Sequence, residues 1–314
     1  MSLANNYHIA VPTAFHENED LNVDATLEHI RFLKKLGVNS VLLCASTGEQ
    51  HSLNLSEKIE LVESLERLDV SSDFEILFGI SSIRQIEAKQ LASKISRVPQ
   101  ISSVLIGYPP YILPTQKEAL NYTTSIIERV NKQAVIYNNP LRTGFDLSIQ
   151  SYKDLIDNHY ISGIKEAGNP QKISELNEVI DSPLIYFAGG EKELEKKICL
   201  GYNGLSSIAG NLYPLEVKQW FDSLLKNEDT QDYNLLKNKI DKLFEDSPLP
   251  LIKNEISIIE NINFGICRTP LGNWTQTKRC ILKIWESYFR ELEQPKKPIS
   301  EFTWFFRNGL FVLK

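Results

Sequence analysis

Cysteine and histidine are scarce in this chain, and their spacing excludes several kinds of chemistry. Four cysteines stand among 314 residues, at Cys44, Cys199, Cys267 and Cys280, and no two share a C-x-x-C spacing. That spread argues against a zinc cluster or a disulfide framework and suits a reducing compartment. The five histidines, His8, His16, His29, His51 and His159, form neither H-E-x-x-H nor H-x-H, so no protein-ligated metal is expected. Positive charge is not in excess. Lys and Arg number 34 against 40 Asp and Glu, a net charge of −6, so no nucleic-acid or anionic-membrane partner is expected. No apolar run approaches the ~20 residues of a membrane span. The first residues lack a basic segment followed by an apolar core, so no secretory signal is read and a cytoplasmic location is expected. No G-x-G-x-x-G follows the first apolar run, and no G-x-x-x-x-G-K-[ST] occurs, which removes the common phosphate-cradling turns.

What is present is an alternation. Short β-rich runs recur at Tyr7–Val11, Ser40–Cys44, Glu75–Ile80, Ser103–Ile106, Ala134–Tyr137, Ile161–Ile164, Leu184–Phe187 and Leu205–Ile208. Between them lie stretches with helical period, such as Leu120, Thr124, Ile127 and Val130 on one helical face. The runs are nearly continuous in apolar character, as expected of parallel strands covered by helices. Eight such units predict an α/β fold, a (β/α)8 TIM barrel. After Asn227 the alternation stops. Asp229–Asp246, Pro250–Glu260, Asn273–Leu292 and Ile299–Phe311 read as helical or mixed segments. The predicted organisation is a catalytic barrel over residues 1–226 and a C-terminal helical layer over 227–314, packed on it. The aromatic tail Phe302-Thr303-Trp304-Phe305-Phe306 calls for burial.

Barrel enzymes work at the C-terminal ends of their strands. Three predicted strand ends carry polar groups: Ser46-Thr47-Gly48-Glu49 after the second, Tyr137 through Gly144 after the fifth, and Lys165-Glu166 after the sixth. Taken singly, each has an ordinary use. Ser46 and Thr47 could cap a helix, Tyr137 could be a core tyrosine, Arg142 could pair with Asp146, and Lys165 could be a surface lysine just past its strand. Their convergence on one barrel mouth favours chemistry. A free lysine is neutral about once in a few thousand at pH 7. Burial lowers its pKa and yields an amine able to form an imine with a ketone. A neighbouring tyrosine can move the protons that imine formation requires. Hydroxyls and backbone amides at a helix N-terminus can hold a carboxylate. An arginine at the rim can hold a second one.

At these residues the chain resembles the dihydrodipicolinate synthase / N-acetylneuraminate lyase family of pyruvate-dependent class I aldolases. The motifs are Ala10-Val11-Pro12-Thr13-Ala14-Phe15, Ser46-Thr47-Gly48-Glu49, Tyr137 through Gly144, Gly163-Ile164-Lys165-Glu166-Ala167, and Gly204 through Asn211. The resemblance implies Lys165 as imine former, with Tyr137 and Ser46 in a proton relay. It implies Thr47 and the backbone around Ser206 as the pyruvate site. Tyr111 matches a tyrosine that reaches into a neighbouring subunit's site, which implies a dimer or tetramer. No separate cofactor is implied, since the substrate is held as an imine. Within the family, Arg142 points to condensation of pyruvate with an aldehyde co-substrate, L-aspartate 4-semialdehyde, as in lysine biosynthesis. Tyr108-Pro109-Pro110-Tyr111 is similar instead to enzymes acting on 2-keto-3-deoxy sugar acids. A non-catalytic keto-acid-binding paralogue is the third alternative.

Overall fold

A computed structural model describes residues 3–70, 73–157, 161–273, 304–307 and 310–313. Eight strands close into one parallel barrel: β1 (Tyr7–Ala10), β2 (Ser40–Leu43), β3 (Glu75–Ile80), β4 (Ser103–Gly107), β5 (Gln133–Asn138), β6 (Ile161–Glu166), β7 (Ile185–Ala188) and β8 (Gly204–Ser207). The seam is a β1–β8 pairing in which His8 lies opposite Ser206. Each predicted run became a strand within one or two residues. The informative difference is β6, which runs through Glu166. Lys165 therefore lies within the strand and not past its end, because it pairs with Tyr137 on one side and Phe187 on the other.

Helices follow the strands: α1 (Val23–Lys35), α2 (Leu55–Ser64), α3 (Gln85–Ile95), α4 (Gln116–Val130), α5 (Pro140–Thr143), α6 (Ile149–Ile156), α7 (Gln171–Val179), α8 (Leu194–Cys199) and α9 (Pro214–Leu225). Their starts are written locally. Asn54 with Glu57, and Thr115 with Glu118, form reciprocal capping boxes at α2 and α4, each satisfying two orphan amides. The buried face of α4 is Ala119, Tyr122, Thr123, Ile126, Ile127 and Val130. It is rotated slightly from the Leu120–Thr124 face read from the sequence, since Tyr122 and Thr123 find partners inside. Apolar residues facing outward from the strands join the inward faces of the helices in one large core. Ala10, Leu42, Leu77, Leu105, Val135 and Phe187 fill the barrel interior, the two-layer arrangement of this fold.

Two further helices, α10 (Asn234–Leu243) and α11 (Pro248–Glu260), bury Leu236, Ile240, Ile252 and Ile256 in the same outer core. The compact unit that contains the barrel runs through Gly272, and residues 273–314 form a second unit. In that second unit, β9 (Trp304–Arg307) and β10 (Leu310–Leu313) pair antiparallel, so part of the segment read as helical or mixed is strand. Most of Asn273–Leu292, and the side chains of the aromatic tail, lie outside the described residues.

Candidate active site

The alternation of β6 decides which of its side chains face inward. Gly163 and Lys165 point into the barrel, and Glu166 points outward to the helices. Lys165 is 7% exposed. Its Nζ donates to Ser206 Oγ at 2.7 Å and lies 5.0 Å from the centre of the Tyr137 ring. Burial, and then the positive charge of Arg142, lower its pKa from 10.5 to about 7, against a smaller opposing pull from Glu191. At pH 7 a large fraction of this amine is therefore neutral, against about one in a few thousand for a free lysine.

Tyr137 sits on the adjacent strand, directly opposite Lys165. Its hydroxyl is 3.5 Å from Ser46 Oγ and accepts a hydrogen bond of 2.7 Å from Asn139 Nδ2. Ser46 and Thr47 lie in a turn that precedes a three-residue 3-10 helix, Gln50–Ser52. They are therefore not at an α-helix N-terminus as expected. Helix α2 begins only at Leu55, because Asn54 and Glu57 form its cap. The amides of Ser46 and Thr47 donate no hydrogen bond among the described residues, which leaves them free for an anion. The turn is tightly built. Cys44 and Glu49 at its ends have left-handed φ of 51° and 49°. A Cβ on Gly79 would come within 2.1 Å of Cys44 O, and Thr13 Oγ1 donates to Gly48 O at 2.7 Å.

Outside the barrel, Glu166 ties down the ends of β5 and β6. It accepts from Asn138 Nδ2 at 3.0 and 2.9 Å, from Tyr152 at 3.0 Å and from the Gly168 amide at 2.7 Å. Burial nevertheless raises its pKa above the usual carboxylate value. Asp146, the ordinary partner proposed for Arg142, instead pairs with Lys172 and accepts from Asn138. Arg142 lies on α5, exposed, with no acidic partner among the described residues.

Lys165, Tyr137, Ser46 and Ser206 thus come together in one chain, with Thr47 in the adjoining turn and Arg142 close enough to act on the lysine. Tyr111 does not join them. It is 91% exposed, with a left-handed φ of 69°, and stands beside exposed Ile112 and Leu113. Residues not singled out in the sequence also belong here. Asn139 holds the tyrosine. Glu191, buried, accepts from Ser207 Oγ and the amides of Ile208 and Ala209 just beyond Ser206. His8, fully buried opposite Ser206, is kept neutral first by burial and then by Lys165. The only available signal was position: Asn139 lies within the Tyr137–Gly144 segment, and Glu191 follows the end of the seventh strand. No group of three His, Cys, Asp or Glu residues able to hold a metal ion occurs among the described residues. Nor is any helix among them long and apolar enough to cross a membrane.

An amine held near neutrality at the end of a barrel strand is the working part of a class I aldolase, and this barrel is a lyase of that class. The chain belongs to the dihydrodipicolinate synthetase family, whose profile matches residues 4–284. It is 26% identical over 271 residues to a 4-hydroxy-tetrahydrodipicolinate synthase from Lactobacillus helveticus, covering 83% of this chain and 85% of that one. With the protein of the same name from Acetivibrio thermocellus, identity is 28% over 280 residues, 88% and 94% of the two chains. The dihydrodipicolinate synthase structure from Aquifex aeolicus superposes with a TM-score of 0.81 at 22% identity, covering 91% of this chain and 98% of that one. The N-acetylneuraminate lyase from Fusobacterium nucleatum superposes with a TM-score of 0.77 at 23% identity, again covering 91% and 98%. These two likenesses concern the fold.

Proposed function

We propose that Lys165 forms an imine with pyruvate and that the resulting enamine condenses with L-aspartate 4-semialdehyde. The observation that carries this reading is the buried Lys165 amine with a pKa of about 7. The neutral amine attacks the ketone carbon, giving a carbinolamine. Tyr137, within reach of Ser46, supplies the proton that turns the departing hydroxyl into water. The free amides of the Ser46–Thr47 turn, with the Thr47 hydroxyl, hold the pyruvate carboxylate, and Ser206 holds Lys165 in line. Loss of a methyl proton yields the enamine, whose carbon attacks the aldehyde. Arg142, lacking an acidic partner among the described residues, binds the aldehyde's carboxylate bidentately. The imine itself acts as the electron sink, so the chemistry calls for no separate cofactor.

The synthase names of the relatives support this choice of substrates. In our reading Tyr111, exposed on a strained backbone beside Ile112 and Leu113, completes the relay of a second copy in a dimer or tetramer. The free thiols of Cys44 and Cys199 support a cytoplasmic site for the reaction.

Borohydride reduction in the presence of pyruvate is the test. A covalent adduct on Lys165, together with turnover when the semialdehyde is added, is expected. No adduct would favour a non-catalytic keto-acid-binding protein. An adduct with turnover only of sugar acids would favour the second reading, a 2-keto-3-deoxy sugar acid aldolase or dehydratase. That reading rests on Tyr108-Pro109-Pro110-Tyr111, the segment similar to enzymes that act on such sugar acids.

Arg142→Leu gives a further expectation. Losing a charge-assisted contact raises KM for the semialdehyde by roughly 10- to 100-fold. Removing the positive neighbour also favours the protonated amine, so the Lys165 pKa rises above about 7. The acid limb of the pyruvate-trapping pH profile should move to higher pH. Unchanged KM and an unmoved limb would place Arg142 outside the site.

A further inference from the structure

The side chain of Asn139 makes one hydrogen bond among the described residues, from Nδ2 to the Tyr137 hydroxyl at 2.7 Å. Its Oδ1 is buried and has no partner there. A buried, unpaired amide oxygen costs stability, and a site that tolerates one calls for a reason. The backbone of Asn139 is held firmly. Its carbonyl accepts from the amides of Arg142 and Thr143, each at 3.0 Å, and from Thr143 Oγ1 at 3.0 Å. Pro140 follows at the first position of α5, where its ring presets the helical φ. The amide is thus delivered to the tyrosine by a rigid turn.

We propose that Asn139 is a positioning residue for proton transfer: its amide occupies one lone pair of the Tyr137 oxygen and directs the phenolic proton toward Ser46 and the Lys165 amine. This rests on the imine reading above. A phenol oxygen has two acceptor positions and one proton. With a donor fixed on one side at 2.7 Å, the hydroxyl hydrogen cannot point at that donor. Ser46 Oγ, at 3.5 Å, is the other hydroxyl within reach of that oxygen, and Lys165 Nζ lies 5.0 Å from the centre of the same ring. Without the amide the hydroxyl rotates, and fewer orientations lead to transfer. Position and direction, not binding of substrate, are what Asn139 supplies.

The test compares the pyruvate-trapping rate of the wild-type protein with that of Asn139→Ala and Asn139→Asp, alongside thermal melting of all three. Asn139→Ala removes the donor, and a fall between about five- and fiftyfold in the trapping rate with unchanged KM for pyruvate is expected. Asn139→Asp keeps the shape but reverses the chemistry, since a carboxylate only accepts and captures the phenolic proton. A deeper fall, about a hundredfold, is expected, with the rate relative to wild type at the same pH partly recovering as the pH is lowered toward the carboxylate's ordinary pKa of about 4. A purely structural amide gives the opposite order, with the isosteric Asp variant the milder and no recovery in acid. That order, or wild-type rates in both folded variants, overturns the proposal. Absence of an adduct in the wild-type protein would instead overturn the imine reading beneath it.

Discussion

Lys165→Met is expected to abolish turnover and at the same time to make the protein more stable. The lysine buries an amine whose pKa falls from 10.5 to about 7. At 1.36 kcal/mol per pH unit, folding a chain with this lysine costs up to about 5 kcal/mol at low pH. The hydrogen bond to Ser206 is already part of that environment. Methionine is of similar length, carries no charge to desolvate, and packs against Phe187 and the Tyr137 ring. A gain on the order of 2–4 kcal/mol at pH 7 follows, after discounting for imperfect packing. The sign with pH is specific. Below about pH 7 the lysine is protonated in both folded and unfolded chains, and the full penalty is present. Between about 7 and 10.5 the unfolded chain binds the extra proton, so wild-type stability rises with pH relative to the variant. The difference in unfolding free energy should be largest in mild acid and close toward pH 10.5. Denaturant melts of the two proteins across this range check it; equal stability at pH 7 would mean the amine is not desolvated.

The second large effect lies beneath the Ser46–Thr47 turn. Glu49 ends that turn, is fully buried, and pairs with Lys253 of α11 at 2.5 Å. Its other oxygen accepts from the Arg268 amide at 3.0 Å. Lys253, 1% exposed, also donates to Ile266 O at 2.7 Å and lies 4.5 Å from the centre of the Phe15 ring. Arg268 stacks on the same ring and pairs with Glu57. Lys253→Met leaves the Glu49 carboxylate buried without its counter-charge, at a cost of about 3–5 kcal/mol. Adding Glu49→Gln removes the stranded charge, and the double variant should recover much of the loss. Because Glu49 anchors one end of the turn, the single variant should also raise KM for pyruvate more than it lowers kcat. A double variant no more stable than Lys253→Met would show that packing, not charge, makes the contact.

Much of the site was legible because strand counting is robust. Parallel strands buried on both faces demand continuous apolar runs, and the chain carries eight of them. Once β5 and β6 were neighbours, Tyr137 and Lys165 had to meet at one end of the barrel. The end of β6 was misjudged because a lysine inside a strand contradicts the apolar pattern from which strands are read. Asp146, one of the partners open to Arg142 in the sequence, pairs instead with Lys172 of α7, a contact between distant residues that local spacing does not show. Likewise the expected helix N-terminus at Ser46 gave way to a turn, because the capping box at Asn54 places the helix start further on.

By itself, then, the amino-acid sequence determined the barrel, the order of its strands, the helix caps, and the presence of a lysine and a tyrosine on adjacent strands. These follow from periodicity and short-range hydrogen bonding, which neighbouring residues carry. Only the tertiary structure decided that Lys165 is desolvated, that Asn139 donates to Tyr137, that Glu49 meets Lys253, and that His8 lies buried opposite Ser206. Those depend on which distant groups share a water-poor interior. There, burial and the direction of a single hydrogen bond set the chemistry, and neither is encoded in local spacing.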